Sequence, residues 1–233
     1  MTSSVFASLK WKAYPYHFAG TVHVDILLGG VPSDEKVVEN WLKAKLVPDN
    51  DEALRKVVAE TMLERNVTAD EAVKIVADLK TLNGFKSDDK GLYYEGRQLK
   101  AALKEAVSVA VAAGKLDLRG WGTTRKFLTS YFPEHVFVAE ERLYVGREQP
   151  DGVHRQFVHS RYGSSIAHSE YVQDVDIAFT VVTDHNFKPD EWAMIWLTGE
   201  QNGLGAGRSM GFGTYEVTRW EQIEVPRAGR KKT

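Results

Sequence analysis

The chain contains no cysteine, so neither a disulfide framework nor a thiolate metal site can form, and a reducing cytoplasm is the expected compartment. Nowhere do roughly 18 apolar residues run together, as a membrane-spanning helix requires. The opening MTSSVFASLKWK lacks the charged start and long apolar stretch of a signal peptide, and no membrane association is expected. Proline is scarce, with 7 in 233 residues, so single prolines punctuate: Pro32 closes a first strand and Pro189 opens a last helix. Excess charge is missing too. A formal net charge of -2 argues against an indiscriminate nucleic-acid coat, whose affinity scales with the cations brought to phosphate.

What is present is a hydrophobic content of 43%, ample for a packed interior, and charge that is segregated along the chain. Between Arg97 and Lys126 seven basic residues stand against two acidic ones, and from 203 to 233 six stand against three. Asp34 to Lys80 carries eleven acidic against eight basic. The first of these stretches is a candidate basic surface.

From Tyr14 to Leu28 the sequence alternates as a strand does, with Phe18, Val22, Val24 and Ile26 on one side and His17, Thr21, His23 and Asp25 on the other. Ser33 followed by Asp34 and Glu35 predicts a capped helix to about Leu46. Helical periodicity returns at about 51 to 65 and, after Thr68, at about 69 to 82. GFKSDDKGLYYEG reads as a polar, glycine-punctuated connection. After it, Arg97 to Ala113 is a helix burying Leu99, Leu103, Ala106 and Ala110. Arg97, Lys100 and Lys104 fall at i, i+3 and i+7 of that helix, where long cations meet either a phosphate backbone or plain solvent. Strands are expected at about 135 to 146 and 172 to 183, with a His-, Arg- and Ser-rich hairpin between them. Pro189, Asp190 and Glu191 start a helix to about Gln201, and Phe212 to Trp220 reads as a closing strand.

Setting the helical stretch aside leaves strand, helix, strand, strand, helix, strand. The fold class expected is α+β, with a ferredoxin-like (RRM-like) core over 1-30 and 93-225. A helical insertion at 31-92, a protruding hairpin at 147-171 and a basic tail at 226-233 complete the division.

GLGAGRSMGFG, Gly203 to Gly213, places five glycines in eleven positions, letting the backbone take positive φ and its amides approach a ligand. Arg208 and Ser209 add a guanidinium fork and a hydroxyl suited to phosphate oxygens. A dinucleotide fingerprint is rejected, because that motif follows a first strand and opens a helix, whereas this run follows a helix and opens a terminal strand. A tight helix-to-strand crossing remains as the plainer reading of the same glycines.

GLGAGRSMGFGTYEV resembles the glycine-rich loop, of the form GLGxxRSxGFG, that precedes the last strand in the CRISPR-associated RAMP superfamily. YEGRQLKAALKEAV, residues 94 to 107, resembles that family's first core helix, with Lys104 where arginine is usual. HSEYVQDVDIAFTVVT is similar to its acidic segment after the protruding hairpin. The resemblance implies a single-stranded RNA partner, guide or transcript, held by a non-catalytic backbone-type subunit that self-associates or joins related subunits. On it, Gly203, Gly205, Gly207, Arg208, Ser209, Gly211 and Gly213, with Arg97, Lys100 and Lys104, become RNA-contacting candidates. Arg161 and Tyr162 join them, because Tyr162 sits in a polar loop where burial is not expected and is free to stack on a base.

Two alternatives stay open. One is a metal-independent RNA-processing endoribonuclease, for which His23 and Asp25, two residues apart on the exposed side of the first strand, are the catalytic candidates. The other is an accessory or viral assembly protein that uses the same fold for protein contacts. His154, His159 and His168, at spacings of five and nine, do not form a helical ligand pair, and neither a structural metal nor a cofactor is expected.

Overall fold

A strand that alternates apolar and polar residues must bury one side, and β1 (Tyr16–Leu28) does so. Phe18, Val22 and Val24 are buried, while Asp25 on the opposite side is exposed and His23 half-buried. The structure, a computed structural model, describes residues 13–30, 59–63, 65–72, 82–160 and 163–224. The expected helix from Ser33 to Leu46, most of the helical stretch to residue 82, Arg161, Tyr162 and the tail 226-233 lie outside the described residues. The chain divides into two compact units, one of residues 1–27, 93–146 and 173–233 and the other of 28–92 and 147–172.

In the first unit β1 runs antiparallel to β9 (Tyr215–Ile223), with His17 opposite Ile223, Val24 opposite Tyr215 and a register shift between Thr21 and Val22. On its other side β1 neighbours β8 (Gly163–Thr183), whose residues from 173 onward belong to this unit. β5 (Val136–Val138) pairs antiparallel with the end of β8. The strand order is therefore β5, β8, β1, β9. The closing strand starts at Tyr215 rather than Phe212, because Phe212 and Gly213 are used by the preceding loop. The stretch expected as one strand from 135 to 146 is broken. Helix α2 (Leu128–His135) runs up to β5, and Arg142–Tyr144 forms β6 in a second, small sheet, opposite Tyr93–Glu95 of β4 (Gly91–Glu95).

Helix α1 (Gly96–Ala112) forms because Leu99, Leu103, Ala106, Val107 and Ala110 recur at helical spacing and are buried. The Gln98 side chain caps it by accepting the Glu95 N–H at 3.0 Å. Each buried leucine contributes roughly 1.5–3 kcal/mol. Helix α3 (Pro189–Asn202) opens with proline, Asp190 and Glu191, as the helix dipole favours, and packs along α1. It is pinned to the sheet by aromatic rings: Phe18 stacks on Trp220 at 5.0 Å, and Trp192 and Trp196 lie 4.9 and 5.0 Å from the same indole. α1 is also held close to the chain. A Cβ on Gly96 would collide with the Glu140 carbonyl, and Gly96 N–H donates to Glu141 O at 3.0 Å, which explains the glycine of YEGRQLK physically.

The second unit is built on a long hairpin. β7 (Gly152–Ser160) and residues 163–171 of β8 form a long antiparallel hairpin, and β2 (Leu82–Asn83) joins β8 in parallel opposite His168 and Ser169. β3 (Lys86–Asp88) pairs with β4, so the segment read as a polar connection is a hairpin turning at Asp89 and Lys90. Strands this short carry too few residues to show a period. No helix among the described residues is long and apolar enough to cross a membrane.

Candidate nucleic-acid interface

Helix α3 ends at Asn202 because Gly203 follows at φ 74°, a left-handed value that stops the helix. Gly205, Gly207, Gly211 and Gly213 also have positive φ, of 72°, 69°, 87° and 74°. Two of these glycines are needed inside the loop rather than at its surface. Gly213 is buried against Leu204, whose carbonyl a Cβ would strike, and Gly203 faces the backbone of Phe212 and Gly213. Leu204 N–H donates to Gly213 O at 2.7 Å and Gly213 N–H to Ile26 O at 2.9 Å, which ties the loop closed and anchors it on β1. Gly205 N–H donates to the Tyr94 hydroxyl at 3.3 Å, and burial pushes that phenol's pKa up to about 12.

The remaining amides divide the loop in two. Met210 and Gly211 N–H close a short 3-10 turn, Arg208–Met210, on Gly207 O and Arg208 O. The N–H groups of Ala206, Gly207, Arg208 and Ser209 donate to no group among the described residues. Successive main-chain donors with a guanidinium and a hydroxyl among them are the groups an anion site would use. They line an open cavity of about 610 Å³ whose other wall includes Glu105 and Asn202. The Asn202 side-chain NH₂ is shielded from solvent and has no hydrogen-bond partner among the described residues. Arg208 is exposed at its tip and pairs with Glu105 of α1, Nη1 to Oε2 at 2.6 Å.

The α1 cations are placed differently. Arg97 binds Glu95, Nη2 to Oε2 at 2.8 Å, which raises its pKa, and Lys100 lays its Nζ 3.9 Å over the Phe137 ring, with burial lowering its pKa. Both line a separate cavity of about 500 Å³ together with Glu95, Glu140 and Glu141. Lys104 is half-buried on α1. Of the residues expected from sequence to contact RNA, the structure therefore brings Gly205, Gly207, Arg208 and Ser209 together around one cavity. Arg97 and Lys100 sit apart from them among carboxylates.

A second cluster lies on the side of the sheet opposite the helices. His23 Nδ1 is 2.9 Å from Asp176 Oδ1, and its Nε2 is 3.7 Å from Asp25 and 4.0 Å from Asp174. The Asp176 hydrogen bond raises the His23 pKa, against an opposing effect of burial and with the charges of Asp176, Asp25 and Asp174 adding to it. His23, Asp25 and Asp174 offer ligand atoms within 4.8 Å of one another, a set able to hold a divalent ion. Asp174 and Asp176 were not singled out from sequence. Their signal was the alternation in VQDVDIAF, which puts both on the polar side of β8.

No family model matches the chain, and no curated protein matches it. Among solved structures it is similar to a chain of the cryo-EM structure of the Type III-B Cmr-beta bound to cognate target RNA, at 10% identity and a TM-score of 0.46. The match covers 93% of this chain and 63% of that one, so this chain spans less than two thirds of its neighbour's length. A likeness at this level carries no functional argument.

Proposed function

We propose that this protein binds single-stranded RNA by its backbone, through the glycine loop between α3 and β9. The observation that carries the reading is the run of four unclaimed amides from Ala206 to Ser209 beside the Arg208 guanidinium. Main-chain donors see phosphate and not base edges, so binding is sequence-tolerant and salt-sensitive. On this proposal the first unit is a ferredoxin-like core of the RAMP type. In support, the order β5, β8, β1, β9 places the first and third core strands side by side at the centre, with α1 and α2 between the first and second core strands and α3 between the third and fourth. Association with copies of itself or with related subunits along the RNA belongs to the same reading.

Retention of a labelled oligouridine on a filter, measured across a salt series, tests it. Arg208→Glu is expected to abolish retention at low salt. Unchanged retention by that variant would remove the reading.

Cleavage is the second reading, favoured by the His23–Asp176 hydrogen bond, which orients an imidazole as a general base requires. Against it stand three aspartates around that ring, which repel a polyanion unless a cation intervenes. Incubating end-labelled RNA with wild type and His23→Ala, with and without EDTA, decides the matter. No product under any condition rules cleavage out.

A further inference from the structure

Helix α2 shows more aromatic surface than its packing requires. Leu128 and Phe132 supply its buried stripe, at 3% and 0% exposure. Phe127, immediately before the helix, has α-helical backbone angles, so it stands at i, i+4 with Tyr131 on an adjacent face. Phe127 is 59% exposed and Tyr131 is half-buried, with its ring 4.1 Å from that of His135. One exposed apolar ring is ordinary on a protein surface. Here it is accompanied by charge.

Arg125 and Lys126, directly before Phe127, are exposed and make no ion pair among the described residues. Lys126 Nζ lies 5.5 Å from the Phe127 ring centroid. This sets them apart from Arg97, Arg119, Arg208 and Arg219, each of which is paired with an acid. Unpaired cations interleaved with a solvent-facing ring suit a ligand that carries both anions and flat apolar faces. A single-stranded nucleic acid is such a ligand, since its phosphates meet the cations and its unpaired bases meet the rings. A duplex hides those faces.

The position of this surface can be read from its hydrogen bonds. Trp121 Nε1 donates to Glu191 at 2.8 Å, in the first turn of α3, and the Tyr131 hydroxyl lies 3.2 Å from His185 Nδ1, just before that helix. The glycine loop follows the last turn of the same helix. The 14 residues of α3, at about 1.5 Å each, separate the two places by roughly 20 Å.

We propose that Phe127, flanked by Arg125 and Lys126 and bordered by the half-buried Tyr131, forms a second contact for single-stranded RNA, at which a base stacks on the exposed Phe127 ring. The glycine loop grips phosphate, and this surface holds bases at the opposite end of α3. The proposal rests on the RNA-binding reading, and its test separates the two.

Fluorescence anisotropy is measured with an oligouridine of about twelve nucleotides and with a ribose-phosphate oligomer of the same length lacking bases. The proteins are wild type, Phe127→Ala, Phe127→Leu, Arg125→Glu/Lys126→Glu and Arg208→Glu, each checked by thermal melting. Both Phe127 variants are expected to weaken oligouridine binding roughly five- to a hundredfold, the range expected for loss of one stacked base. Their binding of the base-free oligomer should stay within about twofold of wild type. The charge-reversal pair and Arg208→Glu should weaken both ligands. If the Phe127 and charge-reversal variants bind oligouridine as wild type does while Arg208→Glu fails, the second contact is refuted and the glycine loop stands. Equal losses on the two ligands in the Phe127 variants would refute stacking. Absence of RNA binding by wild type would overturn both readings.

Discussion

Arg208 Nη1 rests 2.6 Å from Glu105 Oε2, so the guanidinium at the mouth of the glycine loop is already held by a carboxylate of α1. The pair positions the cation beside the open amides, and it also makes Glu105 a competitor of any phosphate that enters. Exposed pairs of this kind contribute about 0.2–1 kcal/mol. Glu105→Gln is therefore expected to raise single-stranded RNA affinity about two- to fivefold at low salt. Arg208→Ala should lower it and reduce the salt slope by about 0.7, the share of one phosphate contact. Titrations across a salt series report both.

The loop glycines are not equivalent, and their substitution should show it. Gly213→Ala drives a Cβ into the Leu204 carbonyl at a positive-φ position, whereas Gly211 has the same backbone sign with open space around it. Gly211→Ala should cost about 1–2 kcal/mol, the left-handed penalty alone. Gly213→Ala should cost more than about 3 kcal/mol, since steric conflict in a closed turn is added. Urea unfolding midpoints distinguish the two, and equal midpoints would contradict the packing described.

Tyr94 gives a pH dependence with a definite sign. Its phenol keeps its proton to about 12 in the folded protein, against about 10 in an unfolded chain. Between those values the unfolded state binds fewer protons, so stability falls as pH rises from about 10 to about 12, by roughly 2–3 kcal/mol. Below pH 10 the contribution is complete. Tyr94→Phe should make that part of the stability profile less steep, the remaining slope coming from Tyr215, whose phenol pKa is also pushed up by burial, as read from denaturant unfolding at successive alkaline pH values.

His23 titrates in the same sense, at lower pH. Its pKa is raised, first by the Asp176 hydrogen bond, so the stabilisation is full below the unfolded value of about 6.5 and is lost as pH rises through the folded one. In NMR titrations the His23 ring should titrate above that reference value. Asp176→Asn should bring it down further than Asp25→Asn does, because the nitrogen–oxygen contact is 2.9 Å in the first case and 3.7 Å in the second.

Parts of this fold were open to reading from sequence alone. The alternation of Phe18, Val22 and Val24, and the stripe Leu99, Leu103, Ala106 and Ala110, are visible because one side of each element must leave water. The loop at 203 to 213 is visible because left-handed turns select glycine. Hidden from such a reading were β3, β4 and β6, too short to show a period. The break of the expected strand at 135 to 146 into α2, β5 and β6 was hidden as well. The competition at Arg208 could not be read either, since Glu105 lies 103 residues away in the chain.

Local sterics and hydrophobic period were enough to show which faces of β1 and α1 are apolar and that a glycine-rich turn precedes the last strand. Tertiary structure alone decided which loop amides remain unpaired, that Arg97 and Lys100 turn toward glutamates and a phenylalanine, and that three aspartates surround His23. Those relations depend on which strands and helices lie side by side, and pairing over 153 residues, as between His23 and Asp176, leaves no trace in the order of neighbours.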